Sequence, residues 1–151
     1  MRSPSWSLLL ASCCLAVLHS SCSAAGEVLI TAAEADLPAS AEAALSPRAL
    51  TRGPAVEQIT PEPDARVTSP LPLKIRFVGR NNTSIDPSSV RITYLRSPNV
   101  DLTTRIQSHV TADGIEITQA EAPPGVHVLR IELRDTRGRS GTGTVMLSVV
   151  K

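Results

Sequence analysis

The sequence predicts an all-β fold, an antiparallel β-sandwich of about seven short strands. Three observations predict it. Apolar and polar residues alternate with a period of two wherever the pattern is strong, as in Leu73-Lys74-Ile75-Arg76-Phe77 and Leu129-Arg130-Ile131-Glu132-Leu133. Turn residues separate these runs at short intervals. No stripe of helical period is long enough for a crossover helix, so neighbouring strands are expected to run antiparallel.

The chain of 151 residues suits one domain of ordinary size plus a leader. Its 15 Lys and Arg residues nearly balance 14 Asp and Glu, so there is no global field to attract nucleic acid or an anionic membrane. Aromatics make up 2%. Trp6 falls in the leader, which leaves Phe77 and Tyr94 as the large rings of the domain. Base-stacking and sugar-stacking platforms need several exposed rings, and this chain cannot supply them. The core has to be built from Val, Ile and Leu.

Residues 1–25 read as an export signal. Arg2 opens it, and residues 8–18 form an apolar run of about eleven residues, the length of a signal core and too short to span a bilayer. Small residues follow, and cleavage after Ala24 or Ala25 satisfies the small-x-small rule. All three cysteines, Cys13, Cys14 and Cys22, lie in this leader. A mature chain then has no thiol, disulfide or thiolate metal site. Leu10-Ala11-Ser12-Cys13 resembles a lipobox, although the apolar run before it is short; Cys22 fits that pattern less well but is better placed. A soluble periplasmic or secreted protein is expected, with lipidation at Cys13 or Cys22 as the alternative. Such an anchor would be the chain's only tie to the membrane.

Residues 26–53 are Ala-rich, carry Glu27, Glu34, Asp36 and Glu42, and have no basic residue before Arg48. Residues 32–37 can form a turn or two of helix, but Pro38 and Pro47 punctuate the segment and isolated helices this short are marginal. A flexible linker is expected.

The domain is expected over residues 54–151. Residues 56–60 are a first strand, closed by Pro61-Glu62-Pro63-Asp64. Leu73, Ile75 and Phe77 mark the next, and Arg80-Asn81-Asn82-Thr83 turns it. Asp86-Pro87-Ser88-Ser89 is a turn leading into a strand that puts Val90, Ile92 and Tyr94 on one side. Residues 102–107 are a weaker strand. Asp113-Gly114 is a tight turn between strands at 106–110 and 115–118. After Ala122-Pro123-Pro124-Gly125 come the two strongest strands, carried by Leu129, Ile131, Leu133 and by Val145, Leu147, Val149, with residues 135–141 as their hairpin loop.

This order of elements resembles the immunoglobulin-like modules of bacterial exported and surface proteins. Ile59-Thr60-Pro61 with Asp64, Ile85-Asp86-Pro87-Ser88-Ser89-Val90, Pro124-Gly125-Val126-His127 and Leu133-Arg134-Asp135 with Gly138 carry the resemblance, which spans residues 55–150. It implies an immunoglobulin-like sandwich acting as a spacer, adhesion unit or protein-interaction domain. The chain departs from antibody-type domains in lacking the core cysteine pair and the packed Trp. Copper-carrying periplasmic sandwiches of the wider group place a His at the mature N-terminus; here that end is Ala25, Gly26 or Glu27.

Candidate chemistry is sparse. His109 and His127, the histidines outside the leader, could hold a metal or ligand together, which would make a small periplasmic carrier. They lack the close spacing of a metal motif, and His127, between Val126 and Val128, reads as a strand-surface residue. Ser108 beside His109 permits a catalytic triad on paper, but no Gly-x-Ser-x-Gly elbow accompanies it. Asp86, Asp113 and Asp135 are too few for a calcium site and read as turn formers. Arg130, Arg134, Arg137 and Arg139 form either a basic patch or, with Glu132 and Asp135 interleaved, a mixed solvated face. Asn81-Asn82-Thr83-Ser84 holds two overlapping glycosylation sequons. The expected function is a non-enzymatic module that binds a protein or envelope component, with no cofactor and no nucleic-acid partner. The loops expected to make contact are residues 80–84, with Arg80, Asn81 and Asn82, and residues 137–143, with Arg137 and Arg139.

Overall fold

A computed structural model describes residues 26–44 and 53–151. Residues 1–25, expected to be an export signal and carrying Cys13 and Cys22, lie outside the described residues. No described helix is long and apolar enough to cross a membrane.

Alternation becomes strand wherever it was strong. In β4 (Leu71–Val78) the residues Leu71, Leu73, Ile75 and Phe77 turn inward, while Lys74 and Arg76 stay in solvent. In β8 (Gly125–Asp135) and β9 (Ser140–Val150) the inward set is Leu129, Ile131, Leu133 and Val145, Leu147, Val149. In β5 (Ile85–Tyr94) it is Ile85, Val90, Ile92 and Tyr94. The remaining strands are β1 (Glu27–Val28), β2 (Ala55–Thr60), β3 (Arg66–Thr68), β6 (Val100–Asp101) and β7 (Gly114–Glu121). They form a four-stranded sheet in the order β1-β7-β4-β2 and a five-stranded sheet in the order β3-β9-β8-β5-β6. The inward residues of both sheets make one aliphatic core.

Most neighbours are antiparallel, as expected, but two edge pairs are parallel: β1 with β7 and β3 with β9. Each joins its sheet from a distant part of the chain, so no hairpin dictates its direction. β2 runs antiparallel to β4 and bulges at residues 58–60. The chain then turns through residues 61–65 and crosses to the other sheet as β3. Gln58 holds the crossing together. Its carboxamide accepts from Met146 N–H (3.0 Å) and donates to Met146 C=O (2.9 Å), acting as a strand partner for β9.

Two expected strands, over 102–107 and 106–110, are helical instead: α2 (Thr103–Ile106) and a 3₁₀ turn (Gln107–His109). The physical reason lies in local hydrogen bonds. Leu102 and Ile106 both bury their side chains, which an alternating strand would also allow, but Asp101 accepts from Thr103 N–H and starts the turn. Thr103 Oγ1 in turn accepts from Ile92 N–H, fixing the helix to β5. Gly114 opens β7 with φ +155°, and a Cβ there would strike the Ile75 carbonyl of β4 at 2.0 Å.

The larger correction concerns the segment expected to be a flexible linker. Within it, residues 26–44 are folded onto the sandwich, and residues 45–52 lie outside the described set. Leu29 and Ile30 enter the core at 0% and 2% exposure. Thr31 and Glu34 form a reciprocal capping box that starts α1 (Ala32–Ala35). A 3₁₀ turn (Ala41–Ala44) follows. Each of the three Glu residues meets a base of the domain: Glu27 with His109, Glu34 with Arg105, Glu42 with Arg130. Residues 26–44 have no basic residue of their own to compete for these carboxylates.

Candidate functional site

The hairpin between β8 and β9 is organised by Asp135, whose side chain is fully buried. Its Oδ1 accepts the backbone N–H groups of Arg137 and Arg139, both at 2.9 Å. Its Oδ2 accepts from Arg139 Nε at 2.7 Å and lies 3.2 Å from Thr83 Oγ1. Gly138 takes φ +77°, a left-handed turn position that glycine fills without strain. Burial pushes the Asp135 carboxyl up, but the donors of Arg139 and Arg137 outweigh it and hold the group below the usual carboxylate range.

The same cluster draws in the loop at residues 79–84. Arg139 Nη2 donates to the Arg80 carbonyl at 2.9 Å, and Thr136 N–H donates to the Ser84 carbonyl at 2.9 Å. Asn81 and Asn82 sit consecutively in the left-handed region, at φ 55° and 58°, which Asn tolerates better than most side chains. The structure therefore brings together the two loops singled out from sequence, with Arg80, Asn81, Asn82, Arg137 and Arg139 at one end of the sandwich. Both sequon asparagines are exposed there.

Beside this end, β5 leaves β8 through a bulge between Asp86 and Arg91. Asp86 caps the turn by accepting from Ser88 N–H (2.9 Å) and Ser88 O–H (2.7 Å); these bonds, side chain first, hold its carboxyl below the ordinary range. Ser89 Oγ replaces the missing ladder partner by accepting from Arg134 N–H at 2.8 Å. The bulge leaves an open concavity of about 440 Å³ on the outer face of the sheet, lined by Ser89, Arg91, Glu132, Arg134, Ser140 and Thr142. Neither Arg91 nor Ser89 was marked from sequence as a site residue. The signal that could have found them is Asp86-Pro87-Ser88-Ser89, where Pro interrupts a strand.

Charge pairing is uneven over the surface. Lys74 meets Glu116, Arg76 meets Glu57, Arg139 meets Asp135, and Arg130 meets Glu42 and, at 3.5 Å without hydrogen-bond geometry, Glu132. Among the described residues, Arg80, Arg91, Arg134 and Arg137 have no carboxylate within 4.0 Å. Arg91 Nη1 donates only to the carbonyls of Ser88 and Val90. The sequence left open a basic patch or a mixed face; the structure divides the cluster, with Arg130 and Arg139 neutralised and Arg134 and Arg137 not.

The two histidines are engaged separately. His127 is fully buried, not on the strand surface as expected, because the inward phase of β8 runs through residues 127, 129, 131 and 133. Its Nε2–H donates to the Pro123 carbonyl at 2.7 Å, so Nδ1 is the acceptor of the neutral ring and takes the Tyr94 O–H at 2.8 Å. Tyr94 Oη accepts from Arg96 Nε at 2.7 Å. Burial pushes the His127 pKa down, and the nearby Arg96 adds to this. His109 faces Glu27. No three His, Cys, Asp or Glu side chains of the described residues stand together as metal ligands, and Asp86, Asp113 and Asp135 do not converge.

No family model matches the chain, and comparison with curated proteins and with solved structures also finds no match.

Proposed function

We propose that the chain is a non-enzymatic, exported immunoglobulin-like module that binds a protein or envelope component through the loop end built on Asp135. Strand order supports the fold family. β2 lies antiparallel to β4 in one sheet, β3 lies parallel to β9 in the other, and β5, β8 and β9 form the opposing layer, an arrangement compatible with immunoglobulin-type sandwiches. The leader supports export. The observation that carries the binding role is the loop end itself. Asp135 fixes two loops in one conformation, and Arg80 and Arg137 are left there without acidic partners. Preorganised loops lose little conformational entropy on binding.

Site-specific photo-crosslinking in the producing cell tests this. A photoreactive residue at position 81 or 137 is expected to give one discrete envelope adduct, and the same residue at position 116, on the other sheet, none. Equal labelling from both faces, or none from the loops, would contradict the reading.

A further inference from the structure

We infer that the concavity beside the β5 bulge is a binding site for an acidic oligosaccharide, with Arg91 and Arg134 taking the sugar's anionic groups. The inference rests on the interaction-module reading and names the class of ligand for that end of the molecule.

Three features of the concavity select this chemistry. The first is charge. Arg91 and Arg134 reach its walls from neighbouring strands, and neither has a carboxylate within salt-bridge distance. Glu132, the cross-strand partner of Arg91, lies 3.5 Å from Arg130 Nε and is within 4.0 Å of neither Arg91 nor Arg134. Guanidinium forks left exposed match carboxylate and sulfate oxygens in paired geometry. Asp86, the other acid on this stretch of β5, is already bonded to Ser88.

The second feature is the lining. Ser89, Ser140 and Thr142 place hydroxyls around the two guanidinium groups, so the floor can both donate to and accept from a polyhydroxylated ring. Ser89 is held by Arg134 N–H, which leaves Ser140 and Thr142, both exposed, as the hydroxyls able to change partners.

The third is that no large exposed hydrophobic side chain lines the concavity. The exposed large hydrophobics of this sheet, Val126, Met146 and Val150, belong to its other part and do not line the concavity. A peptide ligand would need apolar pockets for its side chains, and a membrane surface would need inserting residues. The other groove, around Lys74, Arg76 and Glu116, has its Lys and Arg paired with Glu116 and Glu57, carries Asp113 besides, and offers no such excess.

The test uses the full mature chain and measures binding by calorimetry at fixed, moderate salt. The probes are an oligogalacturonate, a sulfated heparin fragment, poly-L-glutamate of matched charge and uncharged dextran. At least one acidic sugar is expected to bind more tightly than poly-L-glutamate, with dextran silent. The pair Arg91→Gln and Arg134→Gln is expected to weaken sugar binding by about tenfold or more, the loss of charge-assisted hydrogen bonds. The charge-matched pair Arg66→Gln and Lys151→Gln, at the far end of the sandwich, should change it by less than about twofold. Ser140→Ala with Thr142→Ala should weaken sugar binding without altering its salt dependence. Circular dichroism of each variant checks that it folds. No binding of either acidic sugar, equal binding of poly-L-glutamate, or an equal loss in both charge pairs would overturn the inference. If it is overturned while photo-crosslinking from residues 81 and 137 stays discrete, the module reading survives and only its ligand class fails.

Discussion

Asp135 illustrates how one side chain can set a loop. Its four neighbouring donors come from residues 83, 137 and 139, so loss of its charge loosens both loops at once. Because its folded pKa is lowered, its contribution is complete above the unfolded value of about 4 and fades as pH falls through the folded value. Asp135→Asn is therefore expected to destabilise the protein at pH 7, with the gap from wild type closing in acid. Urea titrations of both proteins at pH 7 and pH 3 check this; a gap independent of pH would contradict it. Tyr94→Phe tests the buried chain from Arg96 to Pro123. It leaves His127 Nδ1 and Arg96 Nε without their partner and is expected to cost about 1–3 kcal/mol by the same titration. Turn-forming Asp135 was readable from the sequence, since Asp before Thr-Arg-Gly is turn chemistry. The burial of His127 was not, because Val126 and Val128 on either side are as apolar as any inward pair, and only the phase from Leu129 onward shows which way the ring points.

At the scale of elements, the N-terminal segment is the informative case. Its sequence reads as a tether because it is rich in Ala and broken by Pro, and because short helices do not hold by themselves. What holds it is supplied by the domain. β7 accepts the backbone of residues 27–30, the core accepts Leu29 and Ile30, and Arg105 grips Glu34 at 2.5 and 2.8 Å while also donating to the Leu29 carbonyl. A turn or two of helix over residues 32–37 was legible in advance; the acid–base pairs were not, because their partners lie roughly 70–90 residues away in the chain. The hydrogen bond from Arg105, chiefly, takes the Glu34 pKa down to about 2, so this pair persists until strongly acid pH. Glu34→Gln is expected to cost about 1 kcal/mol at pH 7, discounted for partial exposure, and progressively less from pH 4.5 down toward pH 2. Leu29→Ala should cost about 2–5 kcal/mol as a core truncation. Were the segment a free tether, neither change would move the urea midpoint.

Across the whole molecule, the layered β architecture follows from alternation alone. Four strongly alternating strands specify an inner and an outer face, and two such faces can bury their apolar sides only against each other. Which strand lies at which edge does not follow from alternation. β3 has three residues and β1 two, too few for any period to register, and both pair parallel with distant partners. The loop end was legible as two candidate loops, but their meeting depends on the hairpin of β8 and β9 lying beside the start of β5. Nuclear Overhauser contacts in the labelled protein test that meeting most directly. The structure predicts cross-peaks between Ser84 Hα and the Thr136 amide, and between the Thr83 side chain and Asp135 or Arg139, together with a long antiparallel ladder over the paired residues of β8 and β9. A spectrum with the ladder but without contacts between residues 80–84 and 135–139 would contradict the account of the site, and one without the ladder would contradict the fold beneath it.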